Sequence, residues 1–186
     1  MSAGARERKS PGLAALFDVL VADGRHSILD LGPASGAHLR ILGPYASQIR
    51  FANLLGAAAP GDAWQDALLG LPPNETRPYD VVLAWDVLDR LDPTGRAAFM
   101  ARLVEVTAAK VRLYAIAGGE GTDAVPLAFT LVDRDRVLER PSGVTTAPRK
   151  PLLPAQMERV LAPFEVASAY MLRTGAREYV AVKPVR

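Results

Sequence analysis

The sequence predicts an α/β domain built on a mostly parallel sheet that ends in an antiparallel strand pair. Three observations lead there. Short apolar runs, Ser27–Leu31 (SILDL), Tyr79–Trp85 (YDVVLAW) and Val111–Ala117 (VRLYAIA), alternate with helical stretches, the order expected of parallel strands joined by crossover helices. The 79–85 run is almost continuously apolar, as a strand covered on both faces should be. The last two strand-like stretches, Phe164–Leu172 and Glu178–Lys183, are joined by a turn around Thr174-Gly175. That turn is too short for a crossover, so the pair must be antiparallel.

Each element has a local cause. Residues 1–10 are polar and basic and read as a flexible tail, leaving residues 11–186 as a single domain. Ser10 is a helix N-cap and Pro11 a first-turn residue. Leu13, Leu16, Phe17, Leu20 and Val21 recur at helical spacing until Asp23-Gly24. After SILDL comes Gly32-Pro33-Ala34-Ser35-Gly36, then a helix over 37–42 and a strand over Gln48–Asn53. Pro93 opens a helix through Phe99, Leu103 and Val106, and Pro154–Leu161 is another. Residues 118–150 form a long Pro/Gly-rich insertion. Within it, 128–132 and 137–139 are expected to pair as a flap over a substrate site or as a partner-binding arm.

Composition excludes several function classes. The chain has 186 residues, room for one domain. No apolar run reaches the length needed to span a bilayer. Cysteine is absent, which removes disulfides and thiolate chemistry and is compatible with a reducing, cytoplasmic compartment. Two histidines, His26 and His38, cannot build a zinc site alone. Net charge is +2, from 22 basic and 20 acidic residues, and aromatics are 6%. Scattered basic residues with few aromatics argue against a nucleic-acid interface. The acidic stretch from Asp62 to Asp92 falls around strand ends, where open α/β sheets bind ligands.

The sharpest local feature is ILDLGPASG, residues 28–36. A strand ending in Asp30, then glycines at 32 and 36, then a helix lets a ligand approach bare backbone. ILDLGPASG resembles the first motif of class I S-adenosylmethionine (SAM) dependent methyltransferases. YDVVLAWDVLDRLD resembles a later strand of that family, and AFMARLVEVTAAKVRLYAIA its following helix and strand. The segment from Met157 to Pro184 is similar to its last helix and terminal strands. The resemblance covers roughly residues 11–185 and implies a Rossmann-like three-layer sandwich with SAM as cofactor. Carried over, the cofactor site falls on Asp30, Gly32, Ala34, Gly36, Asn53, Trp85 and Asp86. Asn53 takes the place of the acid that binds the ribose. Asp89 and Arg90, one turn beyond, and Arg149, with Lys150 beside it, are candidate substrate contacts.

The chain departs from the pattern in several places. Ala34 adds a methyl group at a glycine position. Asn53 offers a neutral hydrogen bond of about 1 kcal/mol where a carboxylate would give about 1.5–3, which predicts affinity about tenfold weaker. Arg90 stands where the family often has histidine and cannot act as a base. Leu54 to Pro78 is about 25 residues, too few for two crossovers and a strand, so the family's third strand is expected to be missing. Its adenine contact would pass to Asp62 or Asp66 on a helix over 63–69. No catalytic base is nominated.

Two functional expectations follow. One is SAM-dependent methyl transfer to an unidentified small-molecule or protein acceptor. The other is a catalytically degenerate methyltransferase-like module acting in protein binding or assembly. A sheet edge left by the lost strand would suit a protein partner or a homodimer. Other constellations are weak. P-loop and G-x-S-x-G motifs are absent. Asp86 and Asp89 could act as an acid/base pair, but nothing else suggests a sugar cleft. Asp30 could simply accept backbone N–H bonds of its turn. His38 reads as a solvated helix residue and Trp64 as core, while Trp85, at a strand end, is the better ligand platform.

Overall fold

The computed structural model describes residues 4–54, 70–71, 77–119, 127–142 and 151–185. The main sheet has six strands: β2 (His26–Asp30), β3 (Ala46–Phe51), β4 (Tyr79–Trp85), β5 (Thr107–Gly118), β8 (Glu165–Met171) and β9 (Ala176–Val182). Their order is β3-β2-β4-β5-β9-β8. The first four run parallel, and β9 and β8 are antiparallel to their neighbours, as expected. Among the described residues nothing pairs with the outer edge of β3, and most of the 54–78 segment, where the third strand is expected to be missing, lies outside the described residues. The expected helix over 63–69, with Asp62, Trp64 and Asp66, lies outside the described residues.

Strand alternation sorts the core into two layers. Val82, Ala84, Leu113 and Ala115 face one side. There they meet helix α4 (Pro93–Val106), through Phe99 and Leu103, and helix α5 (Pro154–Leu161), through Met157 and Leu161. Val81, Leu83, Trp85 and Tyr114 face the other side. There they meet helix α1 (Pro11–Asp18), through Leu13, Leu16 and Phe17, all buried. Full burial of such side chains is worth about 1.5–3 kcal/mol each. Ser10 caps α1 by accepting from Leu13 N, and Asp92 caps α4 by accepting from Gly95 N at 2.6 Å. The one-turn helix α3 (Val87–Arg90) links β4 to α4, and α2 (Gly36–Leu42) follows β2.

One expectation about the periphery changes. Residues 6–9 are not a tail. They form strand β1 (Arg6–Lys9), paired antiparallel with β7 (Arg136–Pro141), which pairs in turn with β6 (Leu127–Leu131). Cross-strand ion pairs Arg8–Glu139 and Arg136–Glu7 hold β1 in place. The β6–β7 hairpin forms where the sequence puts it, and its inner face packs into the core while Leu127, Phe129 and Glu139 also border a cavity. Phe129, Leu131 and Val137 are buried in the layer shared with α1 and Trp85.

Candidate functional site

Asp30, the last residue of β2, points to the same face as Ile28 and is fully buried. Three donors from three elements satisfy it. Gly32 N donates to Oδ1 at 2.8 Å, Trp85 Nε1 to the same oxygen at 2.7 Å, and His38 Nδ1 to Oδ2 at 2.6 Å. His38 is also fully buried, and its Nε2 accepts from Leu131 N at 3.0 Å. That acceptor role fixes the proton on Nδ1. The expectation of a solvated His38 is therefore corrected. The imidazole ties the β2–α2 turn to the hairpin, and Asp30 compensates its burial.

Trp85 completes the cluster. Its backbone takes φ +50, a left-handed conformation that costs about 1–3 kcal/mol outside glycine and persists only where surrounding contacts over-determine it. Those contacts are the bond to Asp30, a parallel stack on Phe129 with centroids 5.3 Å apart, and approaches to His38 and Tyr114 at 5.6 and 5.7 Å. The indole is 1% exposed. A Cβ built on Gly32 would stand 3.1 Å from Asp30 Oδ1 and 3.2 Å from Trp85 Nε1. The space against the bare Gly32 backbone is therefore filled by Trp85.

The other candidate residues divide in two. Ala34, Gly36 and Asn53 are exposed, and a Cβ on Gly36 would meet none of the described residues within 4 Å. Asn53, at φ +38, donates its backbone N–H to Gly32 O at 3.1 Å and so stays beside the turn. Asp86, Asp89 and Arg90 are engaged inside the protein. Arg90 donates to both oxygens of Asp86, through Nε at 3.0 Å and Nη2 at 2.5 Å, with both side chains at 5% exposure or less. Asp89 accepts from Gly118 N at 2.8 Å and Leu152 N at 3.1 Å, fastening the end of β5 to the approach of α5. The pattern does not suit an acid/base pair, because each carboxylate already has its own structural partners. Arg149 and Lys150 lie outside the described residues.

A cavity of about 460 Å³ opens beside this cluster, at the carboxyl ends of β4 and β5. Asp86, Gly118, Phe129, Glu139, Leu172 and Arg173 are among its lining residues. Phe129 is thus shared: it stacks on Trp85 and lines the cavity. Sequence reasoning missed His38, Phe129 and Leu131. The alternating segment LAFTL carried the only signal for the last two.

No family model matches the chain, and no curated protein matches it. Solved structures do. The chain is similar to the pyocyanin biosynthetic protein PhzM at 17% identity and a TM-score of 0.52, over 92% of this chain and 54% of that one. It therefore spans little more than half of PhzM. It is similar to the N-methyltransferase NodS from Bradyrhizobium japonicum at 15% identity and a TM-score of 0.54, over 93% and 94%. A third similar structure is the 1,6-didemethyltoxoflavin-N1-methyltransferase of Burkholderia thailandensis, at 13% identity and a TM-score of 0.54, over 94% and 77%. That structure holds 1,6-didemethyltoxoflavin and S-adenosylhomocysteine. The fold of this chain is that of the class I SAM-dependent methyltransferases.

Gly32 decides whether such a cofactor fits the residues present. On the side of the turn toward which a Gly32 Cβ would point, the space is taken by the Trp85 ring and the Asp30 carboxylate. Asp30 is closed to solvent with its donors in place. The residues on the inner side of the turn are packed against one another. Those on the outer side, Ala34, Gly36 and Asn53, leave room.

Proposed function

We propose that this chain is a methyltransferase-fold binding module whose first turn is filled from within, and that it does not transfer a methyl group. The observation that carries this reading is the burial of Trp85 against Gly32, with its N–H on Asp30. A ligand there would have to displace a hydrogen-bonded, stacked indole. Burying a large aromatic ring contributes several kcal/mol, and each kcal/mol of displacement weakens binding severalfold. A concave surface open to a ligand is the 460 Å³ cavity at Asp86, Gly118 and Phe129, a size that suits a small molecule. It lies at the carboxyl ends of parallel strands, where α/β sheets bind ligands.

A second reading is SAM-dependent methyl transfer to a small-molecule or protein acceptor. The open surroundings of Gly36 and the exposed Asn53 favour it, as does S-adenosylhomocysteine in a similar structure. Calorimetric titration of the purified chain with SAM and S-adenosylhomocysteine separates the two readings. The binding-module reading expects no saturable heat at millimolar ligand. Micromolar binding of either compound would replace it with the enzyme reading.

A further inference from the structure

Asp30 is fully buried, and its donors are an amide, an indole and an imidazole. Of these, the His38 imidazole is the one that can acquire a charge. While neutral it makes two bonds. Nδ1 donates to Asp30 Oδ2 at 2.6 Å, and Nε2 accepts from Leu131 N at 3.0 Å. An imidazolium donates from both nitrogens. Its bond to Asp30 would become a charge-assisted ion pair, but the new Nε2 proton would meet the Leu131 N–H. The two protonation states of His38 therefore favour two positions of β6. We propose that His38 is a proton-operated latch on β6, closed on Leu131 when neutral and opened when the ring takes a second proton and pairs with Asp30 alone. The proton comes from solvent, binds Nε2 and leaves Asp30 ionised. The open form holds one proton more than the closed form, so a fall in pH shifts the balance toward it.

The surroundings confine the movement to β6. It is the outer strand of the small sheet, in the order β1-β7-β6. Its backbone is tied to the main domain by Leu131 N on His38 and, at the other end, by Arg90 Nη2 on Leu127 O at 3.5 Å. The β7 side has separate anchors, with Arg8 paired to Glu139 and Glu178 and Ser10 N donating to Asp135 O at 2.6 Å. Asp30, on β2, is the charged group bonded to the imidazole. From β3 and β4 the rings of Phe51 and Trp85 face it at 6.3 and 5.6 Å, and Tyr45, after α2, turns its ring to Phe17. No cation among these opposes the imidazolium. Phe129 moves with β6, and it both stacks on Trp85 and walls the cavity at Asp86 and Gly118. Opening the latch loosens that wall. As control of ligand entry the latch rests on the binding-module reading; as a movement of β6 it does not.

The test is a pH titration of the isotope-labelled chain by NMR, with amide hydrogen exchange read at each step. It runs from about pH 8 to pH 5, the range in which histidine serves as a switch. His26, at the start of β2, is the internal reference. The expected result is that His38 Nε2 takes up a proton while protection of the Leu127–Leu131 amides, corrected for intrinsic exchange, falls about tenfold, the size of one lost hydrogen bond. The β5 amides should keep their protection. His38→Gln retains an acceptor for Leu131 and a donor for Asp30 but does not titrate, so its β6 protection should not change with pH. If that variant does not fold, the wild-type titration decides alone. The proposal is overturned if His38 stays neutral to pH 5, if it charges with β6 protection unchanged, if β5 loses protection equally, or if His38→Gln shows the same fall. Titration with SAM decides the binding-module reading separately. A wild type that binds SAM defeats that reading and leaves the latch standing wherever β6 still opens.

Discussion

Two carboxylates, Asp30 on β2 and Glu178 on β9, are fully buried in the same layer of the protein, and their surroundings differ in kind. Glu178 accepts from Arg8 Nη1, Ser10 Oγ, Gly12 N and Tyr114 Oη, at 2.5 to 2.8 Å. It has a cation of its own, and its partners fasten strand β1 and the start of α1 to the sheet. Asp30 has no arginine or lysine among its hydrogen-bond partners, only an amide, an indole and an imidazole. A buried carboxylate with a built-in counter-ion is a finished structural joint. One held by neutral donors beside a glycine turn keeps the electrostatic character of a place for a cation.

The largest effect should come from breaking the finished joint. Glu178→Ala strands Arg8, whose side chain is 9% exposed and whose Nη2 already has no hydrogen-bond partner. Breaking a buried pair by removing one partner typically costs about 3–5 kcal/mol, and Glu139 on the other side of Arg8 should hold the loss toward the lower end. Urea unfolding should show it. A loss under about 1 kcal/mol would mean that the cluster does not hold β1 and α1 to the sheet.

A smaller loss is expected on crowding the same joint. A Cβ at Gly12 would come within 2.8 Å of Glu178 Cβ and 3.0 Å of the Tyr114 ring. Gly12→Ala should cost about 1–3 kcal/mol, the usual penalty for overpacking. An unchanged denaturation midpoint would show that α1 can slide away from β9.

At the other carboxylate, Asp30→Asn tests the neutral-donor cluster. The amide oxygen can still accept from Gly32 N and Trp85 Nε1, but its NH2 then meets the Nδ1 proton of His38. Moving that proton to Nε2 would bring it against Leu131 N–H, so one bond is lost in either tautomer. The expected loss is about 1–3 kcal/mol, the cost of a buried donor left unsatisfied. Nitrogen NMR of the His38 ring reads it directly: Nδ1 carries the proton in the wild type, and the signal should shift or broaden in the variant. Unchanged ring signals would remove His38 as the link between turn and hairpin.

These two clusters also mark how far sequence reasoning reaches. Tyr79–Trp85 and Pro154–Leu161 were legible to the residue, because an unbroken apolar run and a helix-opening proline are local signals. Strand β1 was not, since RERK has no apolar alternation and its stability comes from partners more than 120 residues away. His38 sits on a seven-residue helix, too short for periodicity to show its buried side, and its partner Leu131 is 93 positions on. The sequence located Asp30, Gly32 and Trp85 together but not their relation. Trp85 reaches Asp30 from a left-handed backbone, which no pattern of hydrophobicity encodes at a tryptophan.

The smallest expected effect sharpens the comparison through pH. Burial, and then the neighbouring Glu178 carboxylate, push the Tyr114 phenol well above its ordinary value of 10. Below about pH 10 the phenol keeps its proton in both folded and unfolded chains, so its contribution to stability does not vary with pH. Above that, the unfolded chain releases the proton while the folded one retains it. The folded state then binds more protons, and stability falls as pH rises. Tyr114→Phe should cost about 1 kcal/mol at neutral pH, the usual net worth of a hydrogen bond, and it should flatten the alkaline decline above pH 10. Tyr79 and Tyr179 are also raised, by burial, so some decline should remain in the variant. Parallel declines in wild type and variant would mean that the phenol is not sealed beside Glu178. The joint at Glu178 would then be open to water and less finished than its set of partners implies.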